Sequence, residues 1–525
     1  MSEAVATVAE MEPSFQALPD MLAGHAAGRP DARALLCGNE RRTWGDLYRR
    51  FNRVANGLIG LGVRPGDKVA ILGPPSIAYV ETFLGTLAAG ACAVPLSSMA
   101  AADSLALMLE DCDAKVLLIA AAMRELVEPF AGRLGKLLPG GRIAFDFESP
   151  GWTAYEPWLA AASDRPPGIA IRPEDGFNII YSSGTTGAPK GILHSHHMRW
   201  TQVTRRVLGY GPDSVTLLST PLYSNTTLVA LLPTLAYGGL AILMAKFDAE
   251  RYLQIAAAEH VTHTMLVPVQ YERLLARPDF DSYDLSAFRM KLSTSAPLRE
   301  QVKRAILKRW PGQMIEYYGL TEGGATCSLN VGENPNKLHT VGKPAPGCDV
   351  RVIDEAGREL PQGSVGELVG RSPGMMTGYY NRPDKTREIY WHAPDGTLFY
   401  RSGDLGRFDE DGFVQLLDRK KDMIISGGFN IYAADLEAVL SKHPAVADVA
   451  VIAVPSREWG ETPLALVVLA PGAAIAADTL RDWANARLGR TQRISAVEFR
   501  DSLPRSSIGK VLKRELREPY LRRAG

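Results

Sequence analysis

The chain has 525 residues, 46% of them hydrophobic, with 58 Lys plus Arg against 58 Asp plus Glu. That length exceeds what one core normally fills, so two or more domains are expected, and the balanced charge gives no electrostatic basis for a nucleic-acid or anionic-membrane partner. Five widely spaced cysteines (Cys37, Cys92, Cys112, Cys327, Cys348), without a CxxC, argue against a disulfide framework or a zinc site and for a reducing, cytoplasmic setting. The amino terminus lacks a basic region ahead of an apolar core, so no secretory signal is expected. Ser214 to Ala245 is free of charged residues. Pro233, Gly238-Gly239 and the polar cluster Ser224 to Thr227 interrupt it, however, so it reads as a buried helix followed by a buried strand rather than a membrane span.

From Pro13 to Asp164 helical patterns alternate with short apolar strands. Leu47–Leu61 has amphipathic spacing, Lys68–Leu72 reads as a strand, Ala78–Ala89 as a helix and Lys115–Ala120 as a strand. Such alternation predicts an α/β layered sheet. The middle continues in that style, with strands at Ala241–Met244 and Thr264–Val267 and helices at Gln270–Leu275 and Leu298–Lys308. Near Gly347 short strands with turn signals (Cys348–Ile353, Gly366–Val369, Gly412–Leu417) predict a small β subdomain. After the charged run Asp418 to Asp422 a compact α+β unit restarts, with strands at Ala447–Val454 and Pro463–Leu469 and helices at Ala433–Ser441 and Ala477–Leu488. Charged linkers stay solvated and hinge easily. The expected division is therefore residues 1–419 and 420–525.

The densest chemistry lies in Tyr181–Gly191, YSSGTTGAPKG, which follows an apolar strand at Phe177–Tyr181. Three glycines, four Ser or Thr hydroxyls and one lysine occur in these eleven residues. Glycines allow close backbone approach, while hydroxyls, bare N–H groups and Lys190 suit phosphate oxygens. It is not a Walker A loop, because Lys190 follows Pro189 and precedes Gly191. Ile315–Glu322 reads as a strand ending in a turn with a hydroxyl and a carboxylate. Glu322 offers the hard oxygen that magnesium takes alongside substrate phosphates, Thr321 can bond an α-phosphate, and Tyr318 can stack on a purine. Asp404, in Phe399–Leu405, reads as a carboxylate at a strand end, suited either to ribose hydroxyls or to an Asx-turn. His194, His196 and His197 cluster without metal-ligand spacing, which points to structural or surface roles. From Arg500 to Gly525, eight Lys or Arg face three Asp or Glu, which by itself describes a solvated basic helix.

Taken together and in order, these strings resemble the adenylate-forming superfamily of acyl-CoA synthetases, luciferases and peptide-synthetase adenylation domains. The resemblance covers Tyr181 to Lys510. It implies that Ser182, Ser183, Gly184, Thr185, Thr186, Gly187 and Lys190 form the phosphate loop. Ser295, Ala296 and Pro297 would lie along the adenine (the family more often has glycine at position 295), with Tyr317, Tyr318 and Thr321 completing the nucleotide site. Asp404 and Arg419 match the nucleotide-binding aspartate and arginine, Lys421 the hinge, and Lys510 the catalytic lysine. Gly427 and Gly428, in Ser426–Tyr432, match the pantetheine path and favour the acyl-CoA synthetase branch.

The family's acyl pocket is walled here by segments that include Tyr223, Ser224, Asn225, Val269 and Gly319. They carry no Lys or Arg, so dicarboxylates are disfavoured; an aromatic acid and a medium-to-long aliphatic acid stay open. The implied reaction consumes an acid, ATP and CoA with Mg2+, catalysed by Lys510, Thr321 and Glu322, in a large ATP- and acyl-binding domain and a mobile domain carrying Lys510. The spacing from Pro504 to Gly509-Lys510 also resembles the motif acetylated by lysine acetyltransferases in bacterial acyl-CoA synthetases, where acetylation removes a needed charge. Alternatives are an enzyme that loads an acyl carrier protein, a luciferase, and a non-catalytic nucleotide-binding homologue. Oligomeric state is not legible; a homodimer is one arrangement the sequence allows.

Overall fold

The computed structural model describes residues 14–182, 189–204, 208–420, 422–426, 429–489, 492–506 and 509–524. Two large sheets dominate the amino-terminal part. The first has nine strands, and its six inner ones run parallel in the order Gln313–Tyr318, Met290–Ser293, His263–Leu266, Val215–Leu218, Leu240–Leu243, Arg33–Cys37. The second has eight, with Gly176–Ser182 between Cys92–Pro95 (parallel) and Lys190–Ser195 (antiparallel).

Helices Trp44–Gly60, Ile77–Ala88 and Asn225–Ala236 share a core with both sheets. Leu47, Phe51, Val54 and Leu58 of the first belong to one continuous core with Val69, Ile71, Val116 and Phe177 of one sheet and Leu218, Leu243, Met265 and Leu292 of the other. The helix Ile77–Ala88 is apolar nearly all round because it is enclosed on nearly every side, with only Ala78 less than buried. By contrast, Trp44–Gly60 keeps a polar face, and a reciprocal Thr43–Asp46 capping box starts it.

The charge-free stretch Ser214–Ala245 differs from the expectation. It opens with a strand, Val215–Leu218, before the helix Asn225–Ala236 and the strand Leu240–Leu243. A four-residue run, Val-Thr-Leu-Leu, flanked by parallel neighbours is too short and too buried for alternation to betray it. Pro233 sits inside the helix rather than ending it. Among the described residues, no helix is long and apolar enough to cross a membrane.

The expected β subdomain is a five-stranded antiparallel sheet built on the eleven-residue strand Leu398–Phe408, flanked by Gly366–Arg371, Tyr390–His392 and Val414–Arg419. Asp404 therefore lies inside a long strand, not at a strand end. The sheet's last strand stops at Arg419, and the next sheet starts at Ile424–Ser426, continuing with Gly460–Leu469, Val446–Ser456 and Ala496–Phe499. That carboxy-terminal sheet has its own core around Leu436, Leu440, Val451, Val467 and Leu480. The protein is thus an α/β molecule with mixed sheets and a separate carboxy-terminal domain.

Candidate active site

The hairpin made by Gly176–Ser182 and Lys190–Ser195 pairs Ser182 with Lys190 across its open end. The loop it supports, including Ser183, Gly184, Thr185, Thr186 and Gly187, lies outside the described residues, as do Lys421, Gly427 and Gly428. The short strand Gly378–Tyr379 pairs with the outer side of the hairpin. This brings the Tyr379 ring to 5.1 Å from the Lys190 ammonium, while the Tyr379 hydroxyl donates to Glu322 Oε1 at 3.0 Å. Lys190 and Glu322, 132 positions apart in the chain, are joined through one tyrosine.

The turn after Gln313–Tyr318 is fixed from two sides. His194 Nε2 donates to the Thr321 carbonyl at 2.7 Å, and the Met376 N–H donates to the Glu322 carbonyl at 2.8 Å. Burial, followed by the Arg199 charge beside it, holds His194 well below the ordinary imidazole range, so its ring is neutral. Arginine has only donors, so His194 Nδ1 must accept from Arg199 and the ring proton sits on Nε2.

Asp404 faces Arg419 directly across two paired strands. Its carboxylate accepts from the Tyr318 hydroxyl at 2.8 Å and forms an ion pair with Arg419, Nε lying at 3.0 Å. Tyr318 is nearly buried and its hydroxyl is committed to Asp404, so a purine can meet only its ring; Tyr317 stays half-buried.

Ser295 has φ +80°, a left-handed conformation that favours glycine. The strain is offset locally, because Ser295 Oγ and Thr226 Oγ1 share a hydrogen bond of 2.8 Å. Three residues on, the Leu298 N–H donates to Glu316 Oε1 at 2.7 Å. Glu316 is in turn paired with Lys303 in the interior, and burial raises its carboxyl above the usual range. This pair anchors the Ser295–Pro297 segment, and no motif announced it.

Of the expected acyl-wall residues, Tyr223 is buried with a hydroxyl that lacks a partner among the described residues. Ser224 caps the helix Asn225–Ala236 by accepting from the Thr226 N–H. Val269 is half-buried and Gly319 exposed. Arg199, outside the wall segments, is buried directly behind them and donates to Asn225 Oδ1 at 2.8 Å.

Lys510 follows Gly509 in a tight turn closed by the Gly509 N–H to the Ser506 carbonyl and by the Lys510 N–H to Ser506 Oγ. A Cβ on Gly509 would stand 3.2 Å from Val269 Cγ1. Arg299 of the amino-terminal part pairs with Asp448 of the carboxy-terminal domain at 3.2 Å, and within that domain Asp448 also pairs with Arg505 at 2.5 Å. Thus Lys190, Thr321, Glu322, Asp404, Arg419 and the Lys510 turn are placed around the carboxyl ends of the parallel strands, where open α/β sheets bind ligands. A cavity of about 620 Å³ beside His263, Arg289 and Gln313 opens at the opposite, amino-terminal ends of those strands and touches none of these groups.

Comparison with known proteins agrees with this geometry. The profile described as AMP-binding enzyme matches residues 22–380, and that described as AMP-binding enzyme C-terminal domain matches residues 435–510. A feruloyl-CoA synthase from Amycolatopsis sp is 37% identical over 496 residues, spanning 94% of this chain and 96% of that protein. A fatty acid–[acyl-carrier-protein] ligase, ScoC, from Streptomyces coeruleorubidus is 31% identical over 520 residues, spanning 97% of each. Among solved structures, the anthranilate CoA ligase AuaEII in complex with anthranoyl-AMP superposes with a TM-score of 0.88 at 26% identity, covering 98% of both chains. The chain belongs to the AMP-binding enzymes of the adenylate-forming superfamily, in the acyl-CoA synthetase branch, and is an AMP-forming acid–thiol ligase.

Proposed function

We propose that this ligase activates an apolar carboxylic acid, aromatic in the first instance, and transfers it to CoA. The observation that supports the reading is the seating of Gly509, the residue before Lys510 in the carboxy-terminal domain, against Val269 of the amino-terminal part. The aromatic preference is supported by the relative named feruloyl-CoA synthase and by the anthranilate ligase superposed above. A medium-to-long aliphatic acid is the alternative.

In the first half-reaction a carboxylate oxygen attacks the α-phosphorus of ATP. The bond from that phosphorus to the bridging oxygen breaks, and pyrophosphate leaves. Lys510 offsets the negative charge developing between carboxylate and α-phosphate, Thr321 bonds the α-phosphate, and the loop Ser182–Gly187 with Lys190 holds the departing pyrophosphate. Asp404 and Arg419 hold the ribose side of the nucleotide, and Tyr317, Tyr318 and Ser295–Pro297 the adenine. Magnesium, when bound, neutralises phosphate charge. Glu322 would fit it as the one carboxylate such a hard cation needs, held in place by the Tyr379 hydroxyl with Tyr400 beside it. In the second half-reaction the CoA thiolate attacks the acyl carbon and AMP leaves, through a path lined by Gly427 and Gly428 after residues 420–525 turn about Lys421. The exposed Lys510 also suits reversible acetylation; intact mass after incubation with a lysine acetyltransferase and acetyl-CoA tests this.

The deciding experiment measures pyrophosphate release from Mg-ATP over a panel of aromatic and aliphatic acids, with and without CoA. Acid-dependent release with sustained turnover only in the presence of CoA supports the reading. The relative named as a carrier-protein ligase favours a second reading, in which CoA has no effect and an acyl carrier protein restores turnover. Folded protein that binds ATP and releases nothing with any acid would overturn both.

A further inference from the structure

Arg199 is an unusual group to bury. It is 1% exposed, and among the described residues no carboxylate pairs with it, although buried charges ordinarily need an opposite charge. Burial alone pulls its guanidinium down to about 9. Its donors go to neutral acceptors instead: Nε to Asn178 Oδ1 at 3.0 Å, Nη2 to His194 Nδ1 at 3.0 Å, and Nη1 to Gln202 Oε1 at 2.7 Å and Asn225 Oδ1 at 2.8 Å. Asn178 Nδ2 also donates to His194 Nδ1, and His194 then holds the Thr321 carbonyl. One buried cation therefore ties the head of the helix Asn225–Ala236 to the turn that carries Thr321.

This arrangement fixes the orientation of an amide. A guanidinium cannot accept a hydrogen bond, so Asn225 must present its oxygen to Arg199 and its nitrogen the other way. Asn225 Nδ2 has no partner among the described residues, and Asn225 is only half-buried. Its neighbours in sequence are Ser224, which caps the helix, and Thr226, which bonds Ser295. Ser224 and Thr226 spend their hydroxyls on these bonds, so a fixed Asn225 N–H donor without a protein partner among the described residues selects for a hydrogen-bond acceptor, because a site built to bond a polar group discriminates against the analogue lacking it.

We propose that Arg199 is a specificity-determining positioning residue, which holds the Asn225 amide nitrogen toward the acyl cleft so that it donates to an oxygen on the body of the acid. The preferred substrates are acids bearing a hydroxyl, alkoxy or keto oxygen away from the carboxylate. The assignment rests on the acyl wall proposed above.

The test uses the full-length enzyme and acid-dependent pyrophosphate release, with two matched pairs that differ by one oxygen: cinnamic and 4-hydroxycinnamic acid, octanoic and 8-hydroxyoctanoic acid. In the wild type one oxygenated member should be favoured in kcat/KM by ~3- to 10-fold, mostly through KM, as one neutral hydrogen bond provides. Asn225→Asp keeps an acceptor for Arg199, and with it the buried network, but removes the donor. Its Tm should hold or rise while the preference falls to about one or inverts. Arg199→Met releases the amide to flip and should weaken the preference; should that variant fail to fold, Asn225→Asp alone decides. A wild type indifferent to the oxygen in both pairs, or an Asn225→Asp enzyme with the wild-type ratio, overturns the assignment. Absence of turnover with every acid overturns the functional reading beneath it.

Discussion

Gly509 and Val269, 240 positions apart in sequence, meet so closely that a Cβ on the glycine would press on Val269 Cγ1 at 3.2 Å. Gly509 also has φ +79°, a conformation that side chains rarely adopt. Both facts bear on one position, so Gly509→Val should be poorly tolerated for local reasons and should also unseat Lys510 from the cleft. We expect the rate of acid-dependent pyrophosphate release to fall ~10- to 100-fold, in line with the cost of misplacing a reacting group by about 1 Å, with ATP affinity little changed. A variant with wild-type kcat would show that the turn need not dock on Val269.

Lys510 itself separates the two half-reactions. Lys510→Ala should slow adenylation by ~10²- to 10³-fold, the usual loss on removing one transition-state charge contact. The same variant given preformed acyl-adenylate and CoA should still make thioester. Equal loss in both assays would place Lys510 in a structural role.

Asp404 depends on Tyr318 and Arg419 for its setting. Tyr318→Phe leaves a buried carboxylate short of one donor and should cost about 1–3 kcal/mol of stability, measured by urea denaturation. Asp404→Ala should raise the KM for ATP at least ~10-fold while leaving the acid KM near its starting value, as expected when a charge-assisted bond of about 1.5–3 kcal/mol is lost. An unchanged ATP KM would detach Asp404 from the nucleotide.

Metal dependence tests Glu322. EDTA should stop pyrophosphate release and added Mg2+ restore it. Glu322→Gln should shift the Mg2+ requirement upward, and Tyr379→Phe should shift it by a smaller amount, since supporting partners of metal ligands typically contribute ~10-fold or more. A Glu322→Gln enzyme with the wild-type Mg2+ profile would remove Glu322 from the metal site.

Two buried histidines set a pH dependence of stability. Burial holds His194 well below the ordinary value of 6.5 and brings His196 down to about 4. The unfolded chain therefore binds more protons than the folded one below pH 6.5. Their contribution is present above that value and is lost as pH falls toward 4. His196 alone should cost roughly 2 kcal/mol between pH 7 and pH 5. Urea midpoints at the two pH values, compared with His196→Phe, check this; an equal fall in the variant would assign the slope to other groups.

The local strings of this chain determined its family. Tyr181–Gly191, Ile315–Glu322, Phe399–Leu405 and Gly509-Lys510 are legible because each sets particular residue types at short, fixed spacings, and together they were enough to point to the family. The alternation of apolar runs likewise determined a layered α/β architecture, since period and burial are local properties. It could not separate the strand Val215–Leu218 from a helix, because a buried parallel strand leaves no alternation to read. Only the tertiary structure decided which distant groups meet. Tyr318 closes on Asp404, 86 positions away, and His194 on the Thr321 carbonyl, 127 positions away. Arg199 lies in the interior and donates to Asn225, a contact that no local string announced. A donor's partner depends on which faces the two sheets bring together, and that is set by packing over the whole domain rather than by any short run of residues.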